Sequence, residues 1–224
     1  MHVLRLRGGE TVTVLDGIGH EILCEVETST RQALTLAVRS QNFVPPPPCQ
    51  ITLIQALPKG KIMEAIIQKA VELGARRVAP ILSERVVSQL HDDGAELKRE
   101  KWQQTAVEAI KQSGAARLPV VDLPLTVDQF LARQDSFDLS LVGSLQPERR
   151  HPRLCLDEFL ARHHRPPQSI GVWVGPEGDF TPTELARIQA AGAQPISLGR
   201  LVLRVETAAI YCLAILNYEF NATP

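Results

Sequence analysis

Three apolar runs in the second half of the chain each end in a loop that contains glycine. The loops are VGSLQP (142–147), VGPEGD (174–179) and LGRLVLR (198–204). If the runs are parallel strands, their carboxyl ends meet at one edge of the sheet, where α/β folds bind ligands. Glycine lets the backbone approach a ligand and exposes its N–H and C=O groups. Together the loops could hold a purine and a ribose through backbone contacts, although one such loop by itself is more often a simple turn.

Other common chemistries lack their sequence signatures. The chain has no GxxxxGK[ST] phosphate loop and no GxGxxG that opens a helix after a strand, which disfavours ATP and NAD. It has no recognisable Ser/His/Asp or Cys/His set. The cysteines, which lie too far apart for a CxxC pair, are Cys24, Cys49, Cys155 and Cys212. We therefore expect no metal site and the reduced thiols of a cytoplasmic protein.

Several charged residues lie in or beside the glycine loops, and four of them are considered as candidates for chemistry. Glu177 and Asp179 belong to the second loop. For Asp179 we favour a structural role, because a carboxylate stabilises the start of the helix that follows. Arg204 ends the apolar run of the third loop, and it is a better catalytic candidate than the other charged residues named here. Glu206 follows two residues later and could equally be a first-turn carboxylate of the last helix.

The first 44 residues alternate short β-prone segments with turn signals. Gly8-Gly9 and Asp16-Gly17 are typical of hairpin turns. The pattern predicts a small β domain over residues 1–44, and its strands are expected near 11–15, 20–27 and 33–39.

Four consecutive prolines, Pro45 to Pro48, indicate an extended linker, which we place at residues 45–50. Residues 51–224 then alternate strands with helices, and Thr181 to Glu184 form a capping box before one of them. Predicted strands cover 51–57, 77–82, 137–143, 170–175 and 195–199, and predicted helices cover 63–73, 96–113, 126–133, 182–191 and 206–220. This alternation predicts an α/β domain with a mostly parallel sheet.

The composition is that of an ordinary globular protein. The 224 residues are 44% hydrophobic and 22% charged, and the net charge is −1. Nucleic acid would therefore have to bind local basic patches, since no general electrostatic attraction exists. The most apolar segment, 208–216, is far shorter than the roughly 20 residues that span a bilayer, so we expect no membrane partner.

The loops and the elements around them resemble one family. GPEGDFTPTELARIQAAG (175–192) followed by ISLGRLVLRVETAAIYCLAIL (196–216) resembles the paired signature of the SPOUT methyltransferases. The match is closer still to the RsmE family, which methylates uridine N3 in 16S ribosomal RNA. Segments 57–87 and 101–121 are also similar to that family, and residues 2–26 resemble its small PUA-like domain.

The resemblance implies an S-adenosylmethionine (SAM)-dependent enzyme that acts on 16S ribosomal RNA or the small ribosomal subunit as a homodimer. It implies a SPOUT domain over 51–224 with a C-terminal trefoil knot, preceded by a PUA-like β-barrel over 1–44. Arg204 and Glu206 match the second part of the signature, and we take them as the catalytic candidates. The cofactor contacts that the resemblance implies are Val142, Gly143, Gly175, Glu177, Gly178, Leu198, Gly199, Leu203 and Thr207.

Four positions depart from the family's pattern. Asp179 stands where the family usually has glycine, and Val205 stands where it has threonine. Lys111 replaces an acid, and Ala115 replaces an arginine. These changes concern the expected RNA side more than the cofactor side.

For methylation of uridine N3, we expect Arg204 to stabilise negative charge on the uracil carbonyls. Glu206 would accept the N3 proton or orient Arg204. The basic residues expected to contact RNA include Arg5, Lys59, Lys61, Arg85 and Arg117. Two alternatives stay open: a SPOUT enzyme that acts on another RNA position, such as a ribose 2′-hydroxyl, and a ribosomal RNA-binding assembly factor without activity.

Overall fold

The N-terminal part of the protein is a three-stranded antiparallel sheet. The computed structural model describes residues 6–30, 32–85 and 92–221. The strands of this sheet are β1 (Thr11–Leu15), β2 (His20–Ser29) and β3 (Leu34–Phe43), with β2 in the centre. The predicted strands are confirmed, and β3 continues four residues beyond its expected end. Closure of the domain into a barrel stays a prediction.

A tight turn joins β1 to β2. The Asp16 carboxylate accepts hydrogen bonds from the backbone N–H groups of Ile18 (2.8 Å) and His20 (3.0 Å). Gly17 adopts a φ of 77°, a conformation that costs glycine least. The Asp-Gly pair therefore builds the turn as the sequence predicts.

The second sheet contains only parallel strands. Its strands are β4 (Gln50–Ala56), β5 (Arg77–Leu82), β6 (Val120–Val121), β7 (Leu125–Thr126), β8 (Leu139–Gly143), β9 (Ser169–Val174) and β10 (Gln194–Ile196). They lie in the order β10-β8-β9-β4-β5-β6, and β7 also pairs with β5. The central strands β4 and β9 are buried on both faces, which explains their apolar runs. The predicted α/β fold with a mostly parallel sheet is confirmed, whereas the trefoil knot stays a prediction.

Helices cover both faces of this sheet. They are α1 (Ile62–Glu72), α2 (Asp92–Ser113), α3 (Val127–Ala132), α4 (Pro152–His163), α5 (Pro182–Ala190) and α6 (Val205–Phe220). Alternate residues of β4 serve two separate cores: Ile51 and Leu53 pack with α1, α2, α4 and α6, and Ile54 and Ala56 pack with α3 and α5. No helix among the described residues is both long and apolar enough to cross a membrane.

Three elements were not predicted. Helix α4 begins after His151, whose Nδ1 accepts a hydrogen bond from the Arg153 N–H at 3.1 Å. Strands β6 and β7 have two residues each, too few to produce a periodic pattern. Helix α2 begins at Asp92, four residues before its predicted start.

Backbone hydrogen bonds connect the two domains. The Gly19 N–H donates to the Ala116 carbonyl at 3.1 Å, and the Leu118 N–H donates to the Gly17 carbonyl at 2.9 Å. We call these four residues the interdomain joint. It attaches the β1–β2 turn to the segment between α2 and β6, so the small sheet is held against the α/β domain.

Candidate functional site

The three glycine loops lie side by side at the carboxyl edge of the parallel sheet. They follow β8, β9 and β10, which are neighbours and run in the same direction. Residues of all three loops, with Val205 and Ala208 of α6, line one cleft. The predicted cofactor residues on its walls are Gly143, Gly175, Glu177, Leu198, Gly199 and Leu203.

The glycines let backbone form the cleft walls. A Cβ on Gly175 would lie 3.1 Å from Asp179 Oδ1 and 3.2 Å from the Phe180 nitrogen. A Cβ on Gly143 would be in ordinary contact with Leu198 at 3.5 Å, so it would narrow the cleft without straining the fold. Walls of this kind fit a nucleoside-like group that is held through backbone N–H and C=O groups.

Three other predicted cofactor residues are not on the cleft walls. Val142 is fully buried in the core, directly before Gly143. Gly178 is exposed, and its carbonyl accepts a hydrogen bond from the Arg85 guanidinium. Thr207 is exposed in the first turn of α6. Their roles toward a cofactor stay predictions.

Asp179 faces the cleft instead of capping α5. The N-cap of α5 is Thr181, whose hydroxyl accepts the Glu184 N–H at 3.2 Å. The Asp179 carboxylate accepts the Phe180 N–H at 2.8 Å and, more weakly, the Leu145 N–H at 3.4 Å. It thus links the loops after β8 and β9, a structural role that it has in the loop and not as the N-cap of α5.

Glu184 braces the start of α5 against the loop after β5, a role that the sequence did not reveal. Its side chain is 2% exposed. One carboxylate oxygen accepts the Thr181 N–H at 2.9 Å and the Ser83 hydroxyl at 3.0 Å, and the other accepts the Glu84 N–H at 2.9 Å. The capping box with Thr181 was visible in the sequence, but the connection to the loop after β5 was not.

The two predicted catalytic residues lie where the third loop enters α6. Arg204 is the N-cap residue, and its exposed side chain makes no capping hydrogen bond. Glu206 is a partly exposed carboxylate in the first turn, so it has the position expected of a residue that stabilises the helix start. Both residues adjoin Val205, which lines the cleft.

Three predicted RNA contacts lie along the same edge of the sheet. Lys59 and Lys61 are exposed in the loop after β4, and the Lys59 N–H donates to Glu177 Oε1 at 2.9 Å. The Arg85 guanidinium donates to the Gly178 carbonyl in the loop after β9. Because β4 lies between β9 and β5, these cations flank the cleft.

Arg117 lies elsewhere, beside the interdomain joint. Its guanidinium donates to the Val44 carbonyl at 2.8 Å and lies 5.4 Å from the centre of the Phe43 ring. These contacts are those of a side chain that fastens the two domains together. Arg5, the remaining predicted RNA contact, lies outside the described residues.

A larger polar cavity opens at the opposite edge of the sheet, where Leu139 and Gln194 begin their strands. Its acidic groups Asp135, Asp138 and Glu158 each pair with an arginine, so they are already neutralised within the protein. Nor do three or more His, Cys, Asp or Glu side chains gather anywhere in the described ranges to hold a metal ion.

Two family models match the chain. Residues 45–217 match an RNA methyltransferase domain, and residues 1–39 match the PUA domain of RNA methyltransferases. Together these matches extend over nearly the whole sequence.

Similar proteins have been named and solved in several bacteria. The ribosomal RNA small subunit methyltransferase E of Synechocystis is 37% identical over 221 residues, which are 96% of this chain and 68% of the relative. The enzyme of the same name from Bacillus subtilis is 30% identical and covers 98% of this chain and 86% of its own. A protein from Legionella pneumophila, solved with SAM bound as cofactor, superposes with a TM-score of 0.85 at 28% identity, covering 98% of this chain and 87% of its own. The Neisseria gonorrhoeae ribosomal RNA small subunit methyltransferase E, also bound to SAM, superposes with a TM-score of 0.82 at 28% identity, covering 96% and 86%.

Proposed function

Because the chain belongs to the ribosomal RNA small subunit methyltransferase E family, we propose that it transfers a methyl group from SAM to small-subunit ribosomal RNA. We place the methyl group on N3 of a uridine in 16S RNA. The observation that carries this proposal is the single cleft formed by three glycine loops at the carboxyl edge of the sheet. A ribosomal RNA substrate also implies a cytoplasmic site of action.

The cleft residues would hold the donor chiefly through backbone. Gly143, Gly175 and Gly199 open the walls, and Leu198 and Leu203 offer apolar surface to an adenine ring. When bound, SAM supplies an electrophilic methyl group carried by a sulfonium. The protein's task is then to orient donor and acceptor, since positioning alone lowers the barrier of such a transfer.

Two residues at the start of α6 would serve the acceptor base. Uridine N3 is a poor nucleophile until it loses its proton. The Arg204 guanidinium, exposed beside the cleft, would stabilise the negative charge that this loss places on the uracil carbonyls. The Glu206 carboxylate would accept the proton or hold Arg204 in position.

The RNA would lie along the basic edge formed by Lys59, Lys61 and Arg85. The small β domain, fixed by the interdomain joint, would guide it toward the cleft. Affinity should therefore fall steeply as salt rises, because phosphate contacts release counterions. The target base would have to leave its stack to reach the cleft.

We also propose that the protein acts as a homodimer. An apolar groove between α4 and α6 is lined by Leu156, Tyr211, Ile215 and Tyr218, and Tyr218 is 78% exposed. The groove adjoins the cleft, because Gly199 lines both.

Light scattering should report a dimer for the wild type and a monomer for Tyr218→Glu. The matched change Ala190→Glu, at an exposed position of α5, should leave the dimer intact. A monomeric wild type would refute the proposal.

The central experiment compares donor binding with methyl transfer. Wild type and Arg204→Ala are titrated with SAM by calorimetry and then given radiolabelled SAM and small-subunit RNA. We expect Arg204→Ala to bind SAM within about twofold of wild type and to lose turnover by about 100-fold or more. Arg200→Ala, an exposed arginine in the same loop, is the matched control.

Mass spectrometry of the nucleosides then locates the product. A methyl group on uridine N3 is the expected result, whereas a 2′-O-methyl ribose would overturn the base assignment. SAM binding without any transfer would indicate a binding factor that has lost catalysis. Unchanged turnover in Arg204→Ala would eliminate the role given to its guanidinium.

A further inference from the structure

Asp179 has a backbone conformation that favours glycine. Its φ is 62°, in the left-handed region where side chains other than those of Asn and Asp are rare. Aspartate tolerates this conformation better than most residues, and here its side chain lies on the wall of the candidate cleft.

The Asp179 carboxylate has acceptor capacity left for a ligand. One oxygen accepts the Phe180 N–H at 2.8 Å and the other accepts the Leu145 N–H at 3.4 Å. Each carboxylate oxygen has two lone pairs. The side chain is partly exposed and belongs to the cleft wall. A group bound in the cleft would therefore be close to this negative charge.

The cleft wall as a whole carries a negative balance. The charged residues among its described lining are Arg149, Glu177 and Asp179, one cation and two anions. The Arg149 guanidinium is occupied by backbone carbonyls, one of them Gln146 at 3.0 Å. The Glu177 carboxylate already accepts the Lys59 N–H. The cations Lys59, Lys61, Arg85 and Arg204 lie beside the cleft but do not line it. The charges on the wall itself therefore favour a cationic ligand over a neutral one of the same shape.

Building on the proposed function, we propose that Asp179 lets the cleft distinguish the cationic methyl donor from its neutral product. SAM carries a positive sulfonium, and S-adenosylhomocysteine has a neutral thioether at the same place, while the rest of the two molecules is alike. A carboxylate on the cleft wall would favour the charged ligand over the neutral one, and we expect its removal to change their relative affinity by about tenfold. The product would thus leave the cleft more readily than the donor.

The test measures binding rather than turnover. SAM, S-adenosylhomocysteine and sinefungin, which carries an ammonium in place of the sulfonium, are titrated by calorimetry into wild type, Asp179→Asn and Asp179→Gly. We expect both variants to weaken SAM and sinefungin by about tenfold while the affinity for S-adenosylhomocysteine changes less than about twofold. Asp128→Asn, at an exposed carboxylate of α3, should change none of the three affinities.

Two results would overturn the inference and leave the proposed function intact. If wild type binds SAM but the variants lose affinity for all three ligands equally, Asp179 serves a shared group or the loop geometry. If the variants bind every ligand as wild type does, the carboxylate contributes nothing to selection. A wild type that binds none of the ligands would instead refute the cofactor assignment itself. Glycine readily adopts the positive φ at position 179. Asp179→Gly is therefore expected to fold even if Asp179→Asn does not, so the test does not depend on one variant.

Discussion

Replacing Glu184 with alanine should destabilise the protein by about 3–4 kcal/mol. The substitution removes an acceptor from three donors, Thr181 N–H, Ser83 hydroxyl and Glu84 N–H. A hydrogen bond to a charged group contributes about 1.5–3 kcal/mol, so the three bonds together contribute more than the predicted net loss of about 3–4 kcal/mol. The net loss of stability is smaller than the sum of the three bonds, because the alanine variant no longer has to desolvate a carboxylate when it folds.

The second capping box of the protein supplies a matched control. Gln129 has the same place in α3, where its Oε1 accepts only the Thr126 N–H at 2.9 Å, and it is exposed. Gln129→Ala should therefore cost only about 0.5–1 kcal/mol. The difference between the two alanine variants isolates the hydrogen bonds that reach across to the loop after β5.

Equilibrium unfolding in guanidinium measures both variants, provided that their denaturant dependence stays equal. Glu184→Ala should also lower the melting temperature by about 10 °C, since 1 kcal/mol corresponds to about 2–4 °C in a protein of this size. If Glu184→Ala and Gln129→Ala lower the free energy of unfolding equally, the hydrogen bonds of Glu184 to Ser83 and Glu84 do not stabilise the protein, and the prediction is wrong.

Gly19→Ala should destabilise the protein by about 1–3 kcal/mol more than Gly9→Ala. Both glycines have a positive φ, but only at Gly19 would an added Cβ lie 2.7 Å from a carbonyl oxygen, that of Val44. Equal losses in guanidinium unfolding would contradict this. The Arg165 guanidinium holds the pKa of Asp138 at about 2, below its unfolded value, so the stability it contributes is present above about pH 4 and lost as pH falls toward 2. Thermal unfolding of wild type and Asp138→Asn should therefore converge at pH 2, and a constant difference would refute the pair. Burial raises the pKa of the Cys212 thiol to about 12, so a thiol reagent at pH 8 should label it only after unfolding; rapid labelling of the native protein would contradict its burial.

Elements with a strong local pattern were predictable from sequence. In α1 the buried residues Met63, Ile66, Ile67 and Ala70 recur at helical spacing, so one amphipathic face was evident. Helix α4 was missed although its buried residues Pro152, Cys155, Leu156 and Phe159 have the same spacing. It begins after a histidine cap, and an exposed leucine, Leu154, lies within its first turn. The contrast between an apolar and a polar face is therefore weaker in the sequence of α4 than in that of α1.

The position of the site was also predictable, because parallel strands bring their carboxyl ends to one edge whatever the loops contain. The contacts that complete it were not. Glu184 meets Ser83 across 101 residues of sequence, and Arg117 meets Val44 across 73. The Asp179 carboxylate accepts the N–H of its neighbour Phe180 at 2.8 Å, but its second contact, to the Leu145 N–H at 3.4 Å, joins residues 34 positions apart. Such pairings depend on tertiary structure.

The interdomain joint has a consequence for how the protein can evolve. Its hydrogen bonds run between main-chain atoms of Gly17, Gly19, Ala116 and Leu118, and every residue type except proline offers the same N–H. Substitutions at Ala116 and Leu118 therefore leave the bonds available, and only the two glycines are narrowly constrained. The relative orientation of the two domains therefore depends on main-chain atoms. The distance from the small sheet to the cleft can stay constant while the side chains on the surfaces of both domains change.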